Sequence, residues 1–248
     1  VYLPHSMVHV PLYVSDDFKG KSGAGLFGDV MMEVDWSVGE IMKVLRKHDL
    51  QQNTLFIFTS DNGGTSELAS AGLRGAKALA YEGGTRVSTI VHWPGVTPSG
   101  AQCNVPIIGN DFYPTLLEMS GGEPLPKQHL DGLSLVPLLR NPANSWSRDE
   151  LYWHYPHYHR TKPYGAIRKG DWKLIEFFES GKIELYDLKT DPAERNDLAD
   201  TELVMASDLL KRLQSWRASV GAQMPTPNPH YDSNRQGQQP PARTTEQP

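Results

Sequence analysis

Thr54-Leu55-Phe56-Ile57-Phe58-Thr59-Ser60-Asp61-Asn62-Gly63-Gly64 is the stretch that decides how this sequence is read. Its first six residues form a short apolar run rich in aromatic and β-branched side chains, which predicts a strand buried on both faces of a parallel sheet. The run then stops on a carboxylate, a carboxamide and two glycines. Open α/β sheets place ligand-binding residues at the C-terminal ends of their strands, so Asp61 and Asn62 stand where a ligand would be met. Together they offer two hard oxygen donors suited to Ca²⁺ or Mg²⁺, whereas zinc sites draw on His nitrogen or Cys sulfur. The same residues also suit a plain strand-to-turn Asp-Asn-Gly, chosen for backbone tolerance.

On the N-terminal side, Phe27, Val30, Met31, Val34, Val38, Ile41, Met42 and Leu45 recur at three- and four-residue spacing, predicting an amphipathic helix over 27–47. Before it lies a long loop, 4–28, preceded by Val1-Tyr2-Leu3, which reads as the end of a strand with sequence missing upstream. On the C-terminal side, 87–93 reads as a second strand and 111–119 as a helix with Leu116 and Leu117 on its buried side. This alternation implies an α/β class, a partial, mixed or mostly parallel sheet flanked by helices. Beyond Pro142 the pattern changes to four short strands, 150–155, 165–168, 172–178 and 183–188, with tight turns at 169–171 and 179–181. A smaller antiparallel sheet is expected there. Leu203, Ala206, Leu209, Leu210, Leu213, Trp216 and Val220 mark one face of a helix able to cover it. The expected organisation is thus 1–142, 143–222 and a disordered polar tail over 223–248, rich in Pro, Gln, Asn and Arg.

Composition bounds the function. A net charge of −5 gives no general attraction to nucleic acid, so an anionic substrate must be met by a local cluster of cations. No apolar run reaches membrane-spanning length. The single cysteine, Cys103, excludes an internal disulfide framework.

Such a cluster is present. Lys77 stands in Leu73-Arg74-Gly75-Ala76-Lys77, shortly before Tyr81-Glu82-Gly83-Gly84-Thr85-Arg86. Small neighbours let the backbone approach a ligand, and an ammonium can neutralise the oxygens of a sulfate or phosphate ester. Taken alone, Lys77 reads better as a solvated loop lysine, and Glu82 and Arg86 as a structural pair. His9, in His9-Val10-Pro11, and His5 can each donate to an anion or protonate a leaving group. The stretch Trp153-His154-Tyr155-Pro156-His157-Tyr158-His159-Arg160, with Lys162, combines aromatic faces with cations. It suits a sulfated sugar or aryl group as well as it suits a Tyr-rich strand with exposed histidines.

In order and spacing these elements resemble the arylsulfatase family, of the alkaline phosphatase-like superfamily. The resemblance rests on Tyr2-Leu3, five residues, His9-Val10-Pro11; Thr59-Ser60-Asp61-Asn62-Gly63; and the Lys77 and Glu82 segments. It continues through Asp111-Phe112-Tyr113-Pro114-Thr115-Leu116-Leu117, Leu130-Asp131-Gly132-Leu133-Ser134-Leu135 and Glu184-Leu185-Tyr186-Asp187-Leu188-Lys189-Thr190-Asp191-Pro192, covering most of 1–222. It implies that Asp61 and Asn62 bind one Ca²⁺, that Lys77 bridges sulfate and leaving-group oxygen, and that His9 contacts the sulfate. His5, Arg74, His157 and His159 become candidate substrate contacts. It further implies a formylglycine hydrate that attacks sulfur, with calcium polarising the sulfate, and a periplasmic, secreted or lysosomal setting.

The chain departs from that pattern in one respect. Formylglycine is made from a Cys-x-Pro-Ser-Arg-type motif, and Cys103 stands instead in Gln102-Cys103-Asn104-Val105-Pro106. No nucleophile is therefore expected in this chain. The resemblance also assigns two further calcium aspartates to sequence upstream, so 1–248 alone is expected to be inactive. A phosphoesterase of the same superfamily, which would favour Asp-His over Asp-Asn, remains an alternative. So does a non-catalytic protein binding sulfated glycans through Lys77, Arg74 and the histidines. The expected partner in either sulfate reading is a sulfate-ester small molecule or sulfated carbohydrate, with no nucleic acid and no membrane.

Overall fold

The computed structural model describes residues 1–65, 69–128 and 130–231. It is an α/β structure with antiparallel sheets, and its chain divides into two compact units that do not follow the sequence in order. The first takes Val1–Thr59 and Ser88–Trp146, the second Ser60–Val87 and Ser147–Pro248. The segment carrying Asp61, Asn62 and Lys77 thus folds with the C-terminal sheet. Residues 223–231 carry no helix or strand, and the rest of the expected tail lies outside the described residues.

In the first unit, helix α1 (Gly25–Lys47) realises the predicted amphipathic helix. Only Val30 of its apolar face is fully buried, whereas Phe27 and Met31 are exposed. Strand β1 (Phe56–Thr59) pairs with β2 (Thr89–His92), running Phe56↔His92 to Thr59↔Thr89. The pairing is antiparallel, and Phe56, Ile57 and Phe58 are half-buried. This corrects the reading of 54–59 as a doubly buried parallel strand: an apolar run carries no information on direction, which its partner decides. Val1–Leu3, read as a strand end, lies exposed without strand structure, because a strand needs a neighbour with which to exchange backbone hydrogen bonds.

Helix α3 (Phe112–Met119), which in chain order follows the four-residue helix α2 (Glu82–Thr85) of the second unit, also forms as expected, but its buried side is Pro114 and Thr115, and Leu116 faces outward. The reason lies in its polar anchor. The fully buried Asp111 carboxylate accepts the Ile108 and Leu133 N–H groups at 2.9 Å each, and Thr115 Oγ1 accepts the Leu135 N–H at 2.8 Å. The two motifs, 111–117 and 130–135, are therefore joined to each other, with helix α4 (Val136–Arg140) following directly.

In the second unit, β3 (Glu150–Tyr155), β4 (Tyr164–Lys169), β5 (Trp172–Phe177) and β6 (Ile183–Asp187) form an antiparallel meander in chain order. Strand side chains alternate between faces, and this sheet buries both. Ile167, Leu174 and Leu185, in register across three strands, face helix α5 (Leu203–Ser219) and pack with its Ala206, Leu209 and Leu213. Tyr152 stacks on Trp216 there at 4.8 Å between ring centroids. Truncating a leucine so buried costs about 2–5 kcal/mol. The other face carries Ala166, Ile175 and Tyr186, and packs against Ala80 and Tyr81. It is this second face that receives the 60–87 segment.

Candidate functional site

Asp61 and Asn62 follow β1 in a loop, 60–65, that has no regular structure. Two backbone hydrogen bonds lace this loop to the segment after it: Gly63 N–H to Gly84 O at 3.1 Å, and Lys77 N–H to Gly64 O at 2.7 Å. The approach requires glycine. A Cβ on Gly63 would collide with the carbonyl oxygen of Gly83, and one on Gly83 would meet the Arg74 carbonyl. The glycines of Asp-Asn-Gly-Gly and Glu-Gly-Gly thus permit a contact between two backbones, beyond any need of a turn.

Within the loop, Asn62 Nδ2 donates to Gly63 O at 2.9 Å, which leaves Oδ1 for another partner. The Asp61 carboxylate is exposed and has no hydrogen bond among the described residues. Both donors are hard oxygens, as a calcium ligand set requires. No group of three or more His, Cys, Asp or Glu side chains able to hold a metal occurs among the described residues. Lys77 is half-buried, and its ammonium has no ion-pair partner among the described residues.

Arg74 is used differently. Its guanidinium donates to Tyr186 OH at 2.7 Å, to Glu194 O at 2.8 Å and to Tyr81 OH at 3.1 Å, and lies 3.9 Å from the Tyr81 ring centroid. Those internal partners occupy the cation expected to touch substrate, and its role is structural. Glu82 meets Arg86 only at 3.9 Å; its nearer partner is Lys173 Nζ, at 2.9 Å. Lys173 also lies 3.0 Å from Glu194 Oε1, and all three side chains are buried. Sequence reasoning missed Lys173 and Glu194. A charged residue inside the apolar strand Trp172-Lys173-Leu174-Ile175 was the available signal. Burial first, then hydrogen bonding to the Glu184 carboxylate, pushes the Tyr81 and Tyr186 hydroxyls well above their usual range, so both stay protonated donors.

His157 and His159 lie exposed in the loop after β3, with the His157 ring edge-on to Tyr155 at 5.5 Å. The neighbouring Lys162 is paired with Glu179 at 3.0 Å, and Tyr158 donates to the same carboxylate. His5 and His9 belong to the first unit. The His9 Nδ1 lies 2.7 Å from Val10 O, and since a carbonyl only accepts, Nδ1 carries the proton, while Nε2 has no hydrogen bond among the described residues. His5 Nε2 lies 3.5 Å from Ser37 Oγ. Cys103 is exposed.

Comparison with known proteins gives two family matches: the model described as sulfatase over residues 1–122, and that of the N-sulphoglucosamine sulphohydrolase C-terminal region over 75–219. Human arylsulfatase D is 36% identical over 195 residues, 72% of this chain and 33% of that protein. Human arylsulfatase A is 33% identical over 256 residues, 90% of this chain and 49% of that protein. A solved structure of a protein in complex with its substrate D-glucosamine-2-N,6-O-disulfate superposes with a TM-score of 0.69 at 28% identity, covering 79% of this chain and 40% of its own. The chain therefore spans a third to a half of the length of these relatives.

Proposed function

We propose, since this chain belongs to the sulfatase family, that it carries metal-binding and ester-contacting loops of a sulfuric ester hydrolase. The observation that supports this reading best is the lacing of the 60–65 loop to the Lys77 segment, which holds two hard oxygen donors and a cation on one piece of backbone. Asp61 and Asn62 Oδ1 are the calcium ligands of this chain. Bound calcium supplies positive charge that polarises a sulfate ester. Lys77 stabilises charge growing on the leaving oxygen as the sulfur–oxygen bond breaks, and His9 meets the sulfate through Nε2.

The substrate class is a sulfated carbohydrate or aryl sulfate, in keeping with the disulfated glucosamine bound by a structural relative. His5, His157 and His159 are secondary contacts to the organic part. The nucleophile is not Cys103, whose surroundings lack the Ser-Arg of a formylglycine motif. A secreted, periplasmic or lysosomal setting fits the family, and no helix among the described residues is long and apolar enough to cross a membrane.

The test is made on the full-length protein with an aryl sulfate. Asp61→Ala is expected to lower bound calcium, and Lys77→Ala to lower kcat by about a hundredfold without loss of fold. Undiminished calcium in a folded Asp61→Ala variant removes the metal assignment, and parental turnover in Lys77→Ala removes the lysine's role.

A further inference from the structure

Arg74 and Glu82 bracket Lys77 in sequence, and both side chains end on the same buried face of the C-terminal sheet. At one end, the Arg74 guanidinium holds Tyr186 of β6 and the Glu194 carbonyl, while Tyr81 donates to Glu184 Oε2 at 2.8 Å. At the other, Lys173 Nζ of β5 lies between Glu82 Oε1 at 2.9 Å and Glu194 Oε1 at 3.0 Å, with side chains 1%, 4% and 0% exposed. The Glu82 N–H donates to Glu194 Oε2 at 2.6 Å, and Arg168 of β4 approaches Glu82 Oε2 to 3.6 Å. Glu194 itself has φ +54°, a left-handed conformation that a residue with a side chain adopts only when its surroundings hold it.

Burying two carboxylates and an ammonium is a poor way to gain stability, since apolar side chains of similar volume usually do as well or better. What the ion group does supply is direction. Each charge has one set of partners, and these partners sit on two strands, β4 and β5, on the turn after β6 and on the 73–86 segment.

We infer that the Glu82–Lys173–Glu194 ion triad, with the Arg74–Tyr81–Tyr186 cluster, positions the candidate site from behind. It fixes both ends of the segment that carries Lys77, and through Lys77 N–H to Gly64 O and Gly63 N–H to Gly84 O it fixes the loop that carries Asp61 and Asn62. Lys173 and Glu194 are thus positioning residues for a reaction they never touch. This also gives a purpose to the 184–192 motif and the Glu194 that follows it, which the functional reading leaves unused. The inference rests on that reading for its catalytic consequence.

The experiment compares Glu194→Gln and Tyr81→Phe with the parent in the full-length protein. Both keep the side-chain volume, and Tyr81→Phe removes only a hydroxyl, so one folded variant is secured if Glu194→Gln misfolds. In metal-free protein, amide exchange over 60–65 and 73–86 is expected to speed up by about tenfold while β4 to β6 stay protected. On an aryl sulfate, kcat should fall by about tenfold with KM little changed, the signature of a misplaced transition-state contact. Parental exchange in those two segments, or an equal loss of protection across β4 to β6, overturns the inference. Lys77→Ala run alongside separates the two readings. Full turnover in that variant overturns the functional assignment, whereas a large loss there with parental kcat and exchange in Tyr81→Phe overturns the positioning role alone.

Discussion

Lys77 and Arg74 are three residues apart in one glycine-containing segment, yet the fold gives them different surroundings. Arg74 is held by two phenols and a carbonyl, while Lys77 keeps its ammonium unpaired among the described residues. A planar guanidinium with five donors suits a buried junction, and a compact ammonium suits a site where charge appears during reaction. Asp29 shows a third use of charge. Its carboxylate accepts Ser22 Oγ–H at 2.6 Å, Ser22 N–H at 2.9 Å and Gly20 N–H at 2.7 Å, which hold it below the ordinary carboxylate range. A carboxyl depressed on folding stabilises the protein above its unfolded pKa and loses that contribution as pH falls through the folded one. The gap in melting temperature between the parent and Asp29→Asn should therefore be full above pH ~4 and shrink as the pH is lowered further. Melting curves recorded across that range check this, and a constant gap would contradict it.

At the scale of elements, the C-terminal sheet is buried by two different means. One face meets helix α5 through an apolar stripe legible at helical spacing, and the other meets a loop segment through ion pairs and phenols. Leu203 and Val220, counted in the α5 stripe, lie at its ends and stay exposed. The loop after β3 is held at its base by Lys162 and Tyr158 on Glu179, which leaves His157 and His159 outward. Exposed histidines on an anchored loop suit selection of a leaving group better than bond cleavage. Replacing both with Ala should reorder a set of sulfated sugars by kcat/KM and leave a small aryl sulfate nearly untouched. Uniform loss on every substrate would show that they act on the ester itself.

At the scale of the molecule, a purified 1–248 chain is expected to hydrolyse no aryl sulfate above a heat-killed control, even with calcium. Loss of a covalent nucleophile costs several orders of magnitude when the surrounding electrostatics survive. No group of three or more metal-ligating side chains occurs among the described residues, and Tyr2, Leu3, Phe27, Met31 and Ile90 stand exposed. Measurable turnover would mean that a nucleophile within this chain had been overlooked. The sequence by itself determined α1, α3, the four strands of the meander, α5, and the Asp61, Asn62 and Lys77 candidates. Those rest on periodicity and on residue order, which are local properties of the chain. Only the tertiary structure decided that β1 and β2 run antiparallel, that 60–87 folds with the C-terminal sheet, and that Arg74 is a structural cation. Strand direction and side-chain partners are settled by residues distant in sequence, as Glu82 and Lys173 are, and no local pattern names the partner that a buried charge will find.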